Sequence, residues 1–330
     1  MIISRTPYRI SLFGGGTDYP DWYIKNGGQV LSTSIDKYIY LSCRTLPSFF
    51  KHRYRILYAL DEKVTNIKSI IHPSVRETLK YLKIKNGMEI HYDGDLPARS
   101  GLGSSSAFTV GLVNCLKTLL KEKISKNILA QETLYIEQNL VKETVGSQDQ
   151  IATAYGGLNH IKFNKNGNFS VQKLDIPSYK IKNLENNLVM FYTDINRRAE
   201  LIAKTYVNNI NKLESVLHNL NDSVNKAKNI LRKGSLDDIG YMMDEFWQEK
   251  KKLSDKVSNP LIDKIYNKAK SSGALGGKIL GAGGGGFLLF YVPLRKKENL
   301  KKALSNFVPI DIKFEKSGSK IIYNSNSNKN

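Results

Sequence analysis

The chain is poor in cysteine, holding only Cys43 and Cys115 in 330 residues. Two thiols so far apart cannot make a disulfide scaffold or a metal cluster, so both are expected to be small core residues. Long apolar runs are absent as well, which excludes a membrane span. The opening Met1-Ile2-Ile3-Ser4-Arg5 runs straight into a strand-like pattern, without the charged region, apolar core and cleavage site of a secretory leader. A cytoplasmic protein is expected. Carboxylates are scarce beside cations, 30 Asp and Glu against 50 Lys and Arg, for a formal net charge of +20. Such a surface attracts polyanions without regard to sequence. The lysines are nevertheless spread along the chain and interleaved with Asn, as in Lys180-Ile181-Lys182-Asn183, rather than gathered in one arm. Broad compositional bias accounts for them, and neither a nucleic-acid nor a membrane partner is expected.

What is present suits a globular protein with real cores, since 41% of the residues are hydrophobic. Ile2 to Phe13 alternates like a strand, Val30 to Cys43 like one or two more, and Met88 to Tyr92 like another. Helices are predicted over Ala107–Lys121 and Lys126–Lys142, the second with Leu134, Ile136 and Leu140 on its buried side. Asn164 to Asn187 is polar, contains Pro177, and reads as a hairpin and connector. Leu188–Thr193 is a predicted strand. Helical stretches follow over Arg198–Arg232, Leu236–Lys252 and Pro260–Ser271. Strands are then expected around Gly277–Leu280 and Phe287–Val292, a helix over Glu298–Phe307, and edge strands near Asp311–Phe314 and Lys320–Tyr323. Asn324–Asn330 is polar enough to be a disordered tail.

Three glycine-bearing segments carry the chemistry. The run Pro97-Ala98-Arg99-Ser100-Gly101-Leu102-Gly103-Ser104-Ser105-Ser106 enters the apolar helix that begins near Ala107. Gly101 and Gly103 remove side chains that would hold a triphosphate off the backbone, and the helix N-terminus presents amides to it. The spacing is not that of a P-loop, which needs a Lys directly after its second glycine. An ATP-dependent kinase of another kind is implied. The second segment is Arg5-Thr6-Pro7-Tyr8-Arg9-Ile10-Ser11-Leu12-Phe13-Gly14-Gly15-Gly16-Thr17-Asp18-Tyr19. The third is Gly276-Gly277-Lys278-Ile279-Leu280-Gly281-Ala282-Gly283-Gly284-Gly285-Gly286. It is followed by a strand rather than the helix a dinucleotide site requires, so it reads as a structural glycine bend near the phosphate loop.

In order and content the three segments resemble the GHMP kinases, over Arg5 to about Val292. The resemblance implies a two-domain α+β fold. An α/β N-terminal domain with a left-handed βαβ crossover would span residues 1–185, a ferredoxin-like C-terminal domain 186–323, and the tail 324–330. It further implies ATP and Mg²⁺ as cofactors. Pro97 to Ser106 would bind the nucleotide, with Ser105 and Glu137 on the metal, a ligand set that suits an ion that keeps several waters. Asp149, in Val145-Gly146-Ser147-Gln148-Asp149-Gln150, matches the catalytic aspartate that homoserine kinases lack. Arg9 matches the basic residue beside it, whose fixed charge would keep the aspartate ionised and stabilise the migrating phosphoryl group.

The acceptor turns on the second segment. Galactokinases carry Glu-His where this chain has Gly15-Gly16, which leaves room for a larger ligand while Thr17 and Asp18 keep the sugar-binding positions. Phe13-Gly14-Gly15-Gly16-Thr17-Asp18-Tyr19-Pro20, with Ser32 to Tyr40 downstream, resembles the D-glycero-D-manno-heptose 7-phosphate kinases. These phosphorylate the anomeric oxygen to give the 1,7-bisphosphate on the way to a GDP-heptose for surface polysaccharide. A remote phosphate needs arginine or lysine, and Arg197-Arg198 are the first candidates, with Arg44, Arg53 and Arg55 behind them. A fucokinase-like or other sugar-1-kinase is the alternative, and a non-catalytic binding protein of the same fold a further one. A small-molecule sugar phosphate is the expected partner, with the chain a monomer or homodimer.

Overall fold

The computed structural model describes residues 1–195 and 199–325. Twelve strands form two sheets among them: Ile2–Phe13 (β1), Gly28–Thr45 (β2), Tyr54–Leu57 (β3), Asp61–Val64 (β4), Met88–Gly94 (β5), Leu158–Phe163 (β6), Phe169–Lys173 (β7), Leu188–Tyr192 (β8), Gly276–Ile279 (β9), Phe287–Tyr291 (β10), Val308–Ile310 (β11) and Lys320–Asn324 (β12). Over its first four residues β1 alternates between buried and half-buried, and beyond Thr6 every position is buried. Both faces are covered there, by the Ser104–Leu119 helix and by helices Glu214–Lys233 and Leu236–Lys251 of the second layer.

The first sheet runs β12-β1-β2-β5-β3-β4, with β6 and β7 joined to it through β2. One strand serves two partners: the start of β2 pairs with β6 over Gly28–Thr33, and its end pairs with β5 over Ile39–Thr45. The second sheet runs β11-β8-β10-β9, antiparallel throughout. Its helices fall between β8 and β9 and between β10 and β11, which is the split arrangement of ferredoxin-like domains. The α+β architecture of two packed layers therefore stands.

Several expected boundaries move. β12 belongs to the first sheet, where Asn324 lies opposite Ile2, and the Ser325 amide donates to the Met1 carbonyl at 3.0 Å. These two residues are thus part of the fold rather than of a tail, and 326–330 lie outside the described residues. The segment before β12 also returns to the first layer, with Glu315 N donating to Ser34 O and Ser319 N to Thr153 O, both at 2.9 Å. The connector after β7 contains a helix, Ser178–Asn187. The helix expected over Lys126–Lys142 is α-helical to Tyr135 and then takes a π-turn over Ile136–Leu140. Of its expected buried side, Ile136 is fully buried and Leu134 and Leu140 partly so. The stretch from Arg198 divides into Ala199–Val207, a 3₁₀ turn Ile210–Leu213, and Glu214–Lys233. Asn208-Asn209 sit at the break, and the Asn209 amide is turned back onto the Thr205 carbonyl, the competition with the backbone that makes Asn a poor helix residue. Cys43 and Cys115 are both buried free thiols. Among the described residues no helix is long and apolar enough to cross a membrane.

Candidate active site

The phosphate loop turns through residues in the left-handed region, Arg99 at φ 59°, Gly101 at 86° and Gly103 at 72°, before the Ser104–Leu119 helix begins. The chain itself, and not only a ligand, demands glycine at 101. A Cβ there would stand 2.4 Å from the Leu280 carbonyl oxygen. The third glycine segment forms the loop's other wall: a Cβ on Gly281 would lie 2.7 Å from Gly101 Cα, and Phe287 N donates to Ser100 O at 3.1 Å. Pro97 and Arg99 are exposed at the mouth, while Ser100 is buried with its hydroxyl unpartnered. Ser104 Oγ accepts from Arg99 N at 3.1 Å and so shapes the loop. The first amides of the helix have no partner within it and face this loop.

Arg9 rises into the site at a register shift between β1 and β2. Its Nε and Nη2 donate to the two oxygens of Asp149 at 2.6 and 2.7 Å, and its Nη1 donates to the Gly101 carbonyl at 2.7 Å. Arg9 is 4% exposed and the Asp149 side chain 24%, so the carboxylate meets solvent while its partner does not. Asp149 stands in the first turn of helix Gln148–Tyr155. A Cβ on Gly103 would touch both members of the pair, 3.1 Å from Arg9 Cγ and 3.3 Å from Asp149 Oδ2. One fork thus joins the strand, the candidate base and the phosphate loop.

The turn Gly14–Asp18 closes the other side. Asp18 Oδ1 accepts from Gly16 N and Oδ2 from Gln148 Nε2, both at 2.9 Å. Burial pushes the Asp18 carboxyl above the usual range, and the nearby charge of Asp149 adds to the shift. Thr17 is fully buried, its hydroxyl within 2.9 and 3.0 Å of the carbonyl oxygens of Gly14 and Gln29, to one of which it donates, and accepting from Gln29 N at 3.2 Å. It shapes the turn rather than facing a ligand. Gly15 is half-buried and Gly16 buried. Gln148, which no sequence motif singles out, bonds Asp18 and so ties this turn to the helix on which Asp149 is the next residue. Its position directly before the aspartate was the available signal.

Glu137 lies on the π-turn, fully buried. Its Oε2 accepts from Ser106 Oγ at 2.9 Å and from Gln150 Nε2 at 2.5 Å, while Oε1 is buried without a partner. Burial raises its carboxyl to about 7, and the charge of Glu143 contributes. The hydroxyl beside it is therefore that of Ser106, whereas Ser105 is exposed at the head of the helix. A carboxylate oxygen without a hydrogen bond next to a hydroxyl, at the head of the helix that follows the glycine loop, fits a hard cation that takes its other ligands from water and phosphate. Among the described residues no cluster of three His, Cys, Asp or Glu could hold a metal on its own.

Arg197 and Arg198 lie outside the described residues. The arginines ranked behind them are engaged elsewhere. Arg55 bonds Asp61 at 3.0 Å and Glu89 at 3.1 Å, Arg44 pairs with Glu89, and Arg53 donates to the Lys85 carbonyl. These belong to the β2, β5, β3, β4 side of the first sheet and are already satisfied there. Two buried lysines, Lys250 and Lys278, lie behind the glycine bend.

Residues 68–157 match the GHMP kinases N terminal domain, and residues 227–310 the GHMP kinases C terminal. The chain is 30% identical over 319 residues to the D-glycero-alpha-D-manno-heptose 7-phosphate kinase of Campylobacter jejuni, covering 92% of this chain and 93% of that one. It is 25% identical to the bifunctional fucokinase/GDP-fucose pyrophosphorylase of Arabidopsis thaliana, covering 93% of this chain but 31% of that protein. In fold it is similar to a D-glycero-D-manno-heptose 1-phosphate kinase from Bacteriodes thetaiotaomicron, with a TM-score of 0.81, 23% identity, and coverage of 98% and 100% of the two chains.

Proposed function

Because the chain belongs to the GHMP kinases, ATP-using kinases of sugar and alcohol hydroxyls, we propose that it phosphorylates the anomeric hydroxyl of D-glycero-D-manno-heptose 7-phosphate. The product would be the 1,7-bisphosphate. The observation that carries the placement of the chemistry is the Arg9 fork, which ties the solvent-facing carboxylate of Asp149 to the carbonyl of Gly101 in the phosphate loop. Phosphoryl transfer asks a protein mainly for positioning and charge stabilisation. Asp149 accepts the acceptor hydroxyl's hydrogen and aligns its oxygen. Arg9 fixes the carboxylate's two oxygens and supplies positive charge beside the path of transfer. The helix amides and the Gly101–Gly103 backbone hold the nucleotide phosphates.

Glu137, with the Ser106 hydroxyl beside it, would hold Mg²⁺, which supplies neutralisation of the β- and γ-phosphates when bound. An anomeric hydroxyl is more acidic than an ordinary alcohol, so a carboxylate already engaged by arginine suffices as its partner. The acceptor reading is supported by the likeness to the Campylobacter protein and by the glycines at 15 and 16. A fucokinase-like acceptor is the second reading, favoured by the likeness to the Arabidopsis protein.

The test is ATP turnover across sugars with and without a terminal phosphate, with products identified by phosphorus NMR. A new anomeric phosphate beside a retained terminal one is the expected product. Equal rates on the phosphorylated and plain heptose would overturn the acceptor assignment and favour a plain sugar-1-kinase.

A further inference from the structure

Lys278 belongs to β9 of the second sheet, yet its side chain ends in the first. It is 1% exposed, and its Nζ donates to the carbonyls of Ser11 and Leu12 at 2.8 and 2.9 Å. The β1–β2 pairing shifts register between Ser11 and Phe13, so these carbonyls belong to a bulge, where the ladder is locally disrupted. The amine lies 4.3 Å from the centroid of Phe246, whose ring meets Phe13 edge-on at 5.5 Å. Lys250, 5% exposed, does the corresponding work one step further on. Its Nζ donates to Ile279 O at 3.2 Å and to Gly281 O at 2.5 Å, and Gly281 is the residue pressed against Gly101.

Lysine is almost never fully buried without a specific partner, and a methionine would fill the same space at lower cost. What distinguishes lysine here is the set of atoms it holds. Two residues before Ser11 is Arg9, itself at a register shift, and two residues after Leu12 the turn Gly14–Asp18 begins. The stretch that Lys278 grips is therefore the piece of β1 that separates the Arg9–Asp149 pair from the turn carrying Asp18.

We propose that Lys278 is a positioning residue: by holding the Ser11 and Leu12 carbonyls across the two sheets, it fixes the spacing between the Arg9–Asp149 pair and the acceptor turn. Lys250 plays the matching part for the phosphate loop through Gly281. The proposal rests on the reading that Asp149 meets the acceptor hydroxyl. It does not depend on which sugar carries that hydroxyl.

Lys278→Met keeps the length and volume and removes the donors. A misplacement of one ångström can cost about a hundredfold, so kcat is expected to fall roughly 30- to 100-fold and the acceptor's KM to rise, with the KM for ATP changing less than about twofold. Lys278→Gln, which retains a shorter donor, is expected to recover part of the lost kcat. Thermal melting is followed alongside. A lower Tm with unaltered kcat and acceptor KM would reduce Lys278 to a structural residue and overturn the proposal. Should neither variant fold, Phe246→Leu loosens the amine's seat and leaves both carbonyls in place. It is then expected to lower kcat about 3- to 10-fold at constant KM for ATP, and an unaltered kcat would again overturn the proposal. Every comparison is made on whichever sugar the wild type turns over, so an error in the acceptor appears in the wild-type rates alone.

Discussion

Arg9 and Asp149 stand 140 residues apart in sequence and meet through two parallel hydrogen bonds of 2.6 and 2.7 Å, with the arginine's third contact on the phosphate loop. A bidentate pair of this kind fixes orientation as well as charge. It makes the position of the candidate base depend on the strand that carries Arg9 and on the glycine loop that holds Gly101.

Asp149→Asn is expected to lower kcat by about 10²- to 10⁴-fold while leaving ATP binding nearly intact, since the change removes the charge proposed to meet the acceptor and leaves the glycine loop in place. Titration calorimetry with a nonhydrolysable ATP analogue, alongside steady-state rates, reads both quantities. Near-wild-type turnover would remove Asp149 from the reaction.

Arg9→Lys should behave as a severe change despite conserving charge. A single ammonium cannot reproduce the fork to Asp149 and the bond to Gly101 together. Losing one charge-assisted bond corresponds to roughly a 10- to 100-fold fall in kcat/KM. ATP affinity is also expected to drop, because the Gly101 carbonyl loses its donor. A variant with wild-type affinity for ATP would separate the fork from the loop.

Glu137→Gln is expected to raise the Mg²⁺ concentration needed for half-maximal rate. The same variant makes a stability prediction of definite sign. The folded carboxyl, raised to about 7 from an ordinary 4.5, keeps a proton that the unfolded chain has already released between those values. Native stability therefore falls as pH rises from about 4.5 to 7 and levels off above, by roughly 3 kcal/mol. Without metal, Glu137→Gln should melt higher than wild type at pH 8 and lose that advantage near pH 4.5. Parallel melting curves at the two pH values would show whether this carboxyl is the source.

Gly101→Ala places a methyl 2.4 Å from the Leu280 carbonyl at a φ of 86°, and backbone on both sides prevents easy relief. A loss of about 2–4 kcal/mol is expected, together with weaker ATP binding. Gly167→Ala is the control. It shares a positive φ of 83° but has nothing within 4 Å, so the cost should stay near 1 kcal/mol with no effect on kinetics. Chemical denaturation of the pair distinguishes strain from collision.

Replacing Arg197 and Arg198 together by Ala should damage turnover of a heptose 7-phosphate far more than that of the plain heptose. The wild type is expected to prefer the phosphorylated sugar by a factor on the order of a hundred or more in kcat/KM, since two charge-assisted contacts compound. Equal losses on both sugars would place the phosphate site elsewhere. Arg44 and Arg55 are poor successors, because their guanidinium groups are already committed to Glu89 and Asp61.

Much of this molecule was legible in the order of its residues. Alternation located β1, and the Asn259 cap ahead of Pro260 sets the start of a helix that ends at Ser271 as predicted. The three glycine segments announced the family, because backbone shape and helix entry depend on local residues. Helix Pro73–Tyr81 and the β3–β4 hairpin drew no assignment, lying in short segments whose pattern is weak on its own. Three things were decided only by the tertiary structure. Ser106 rather than Ser105 faces Glu137 because helical rotation sets which hydroxyl turns inward. Thr17 is spent on its own turn. Lys250 and Lys278 gain their roles from carbonyls freed at a bulge and a bend, one of them 267 residues away. A donor's partner across such a distance is fixed by how two sheets pack, and no local pattern of residues encodes that.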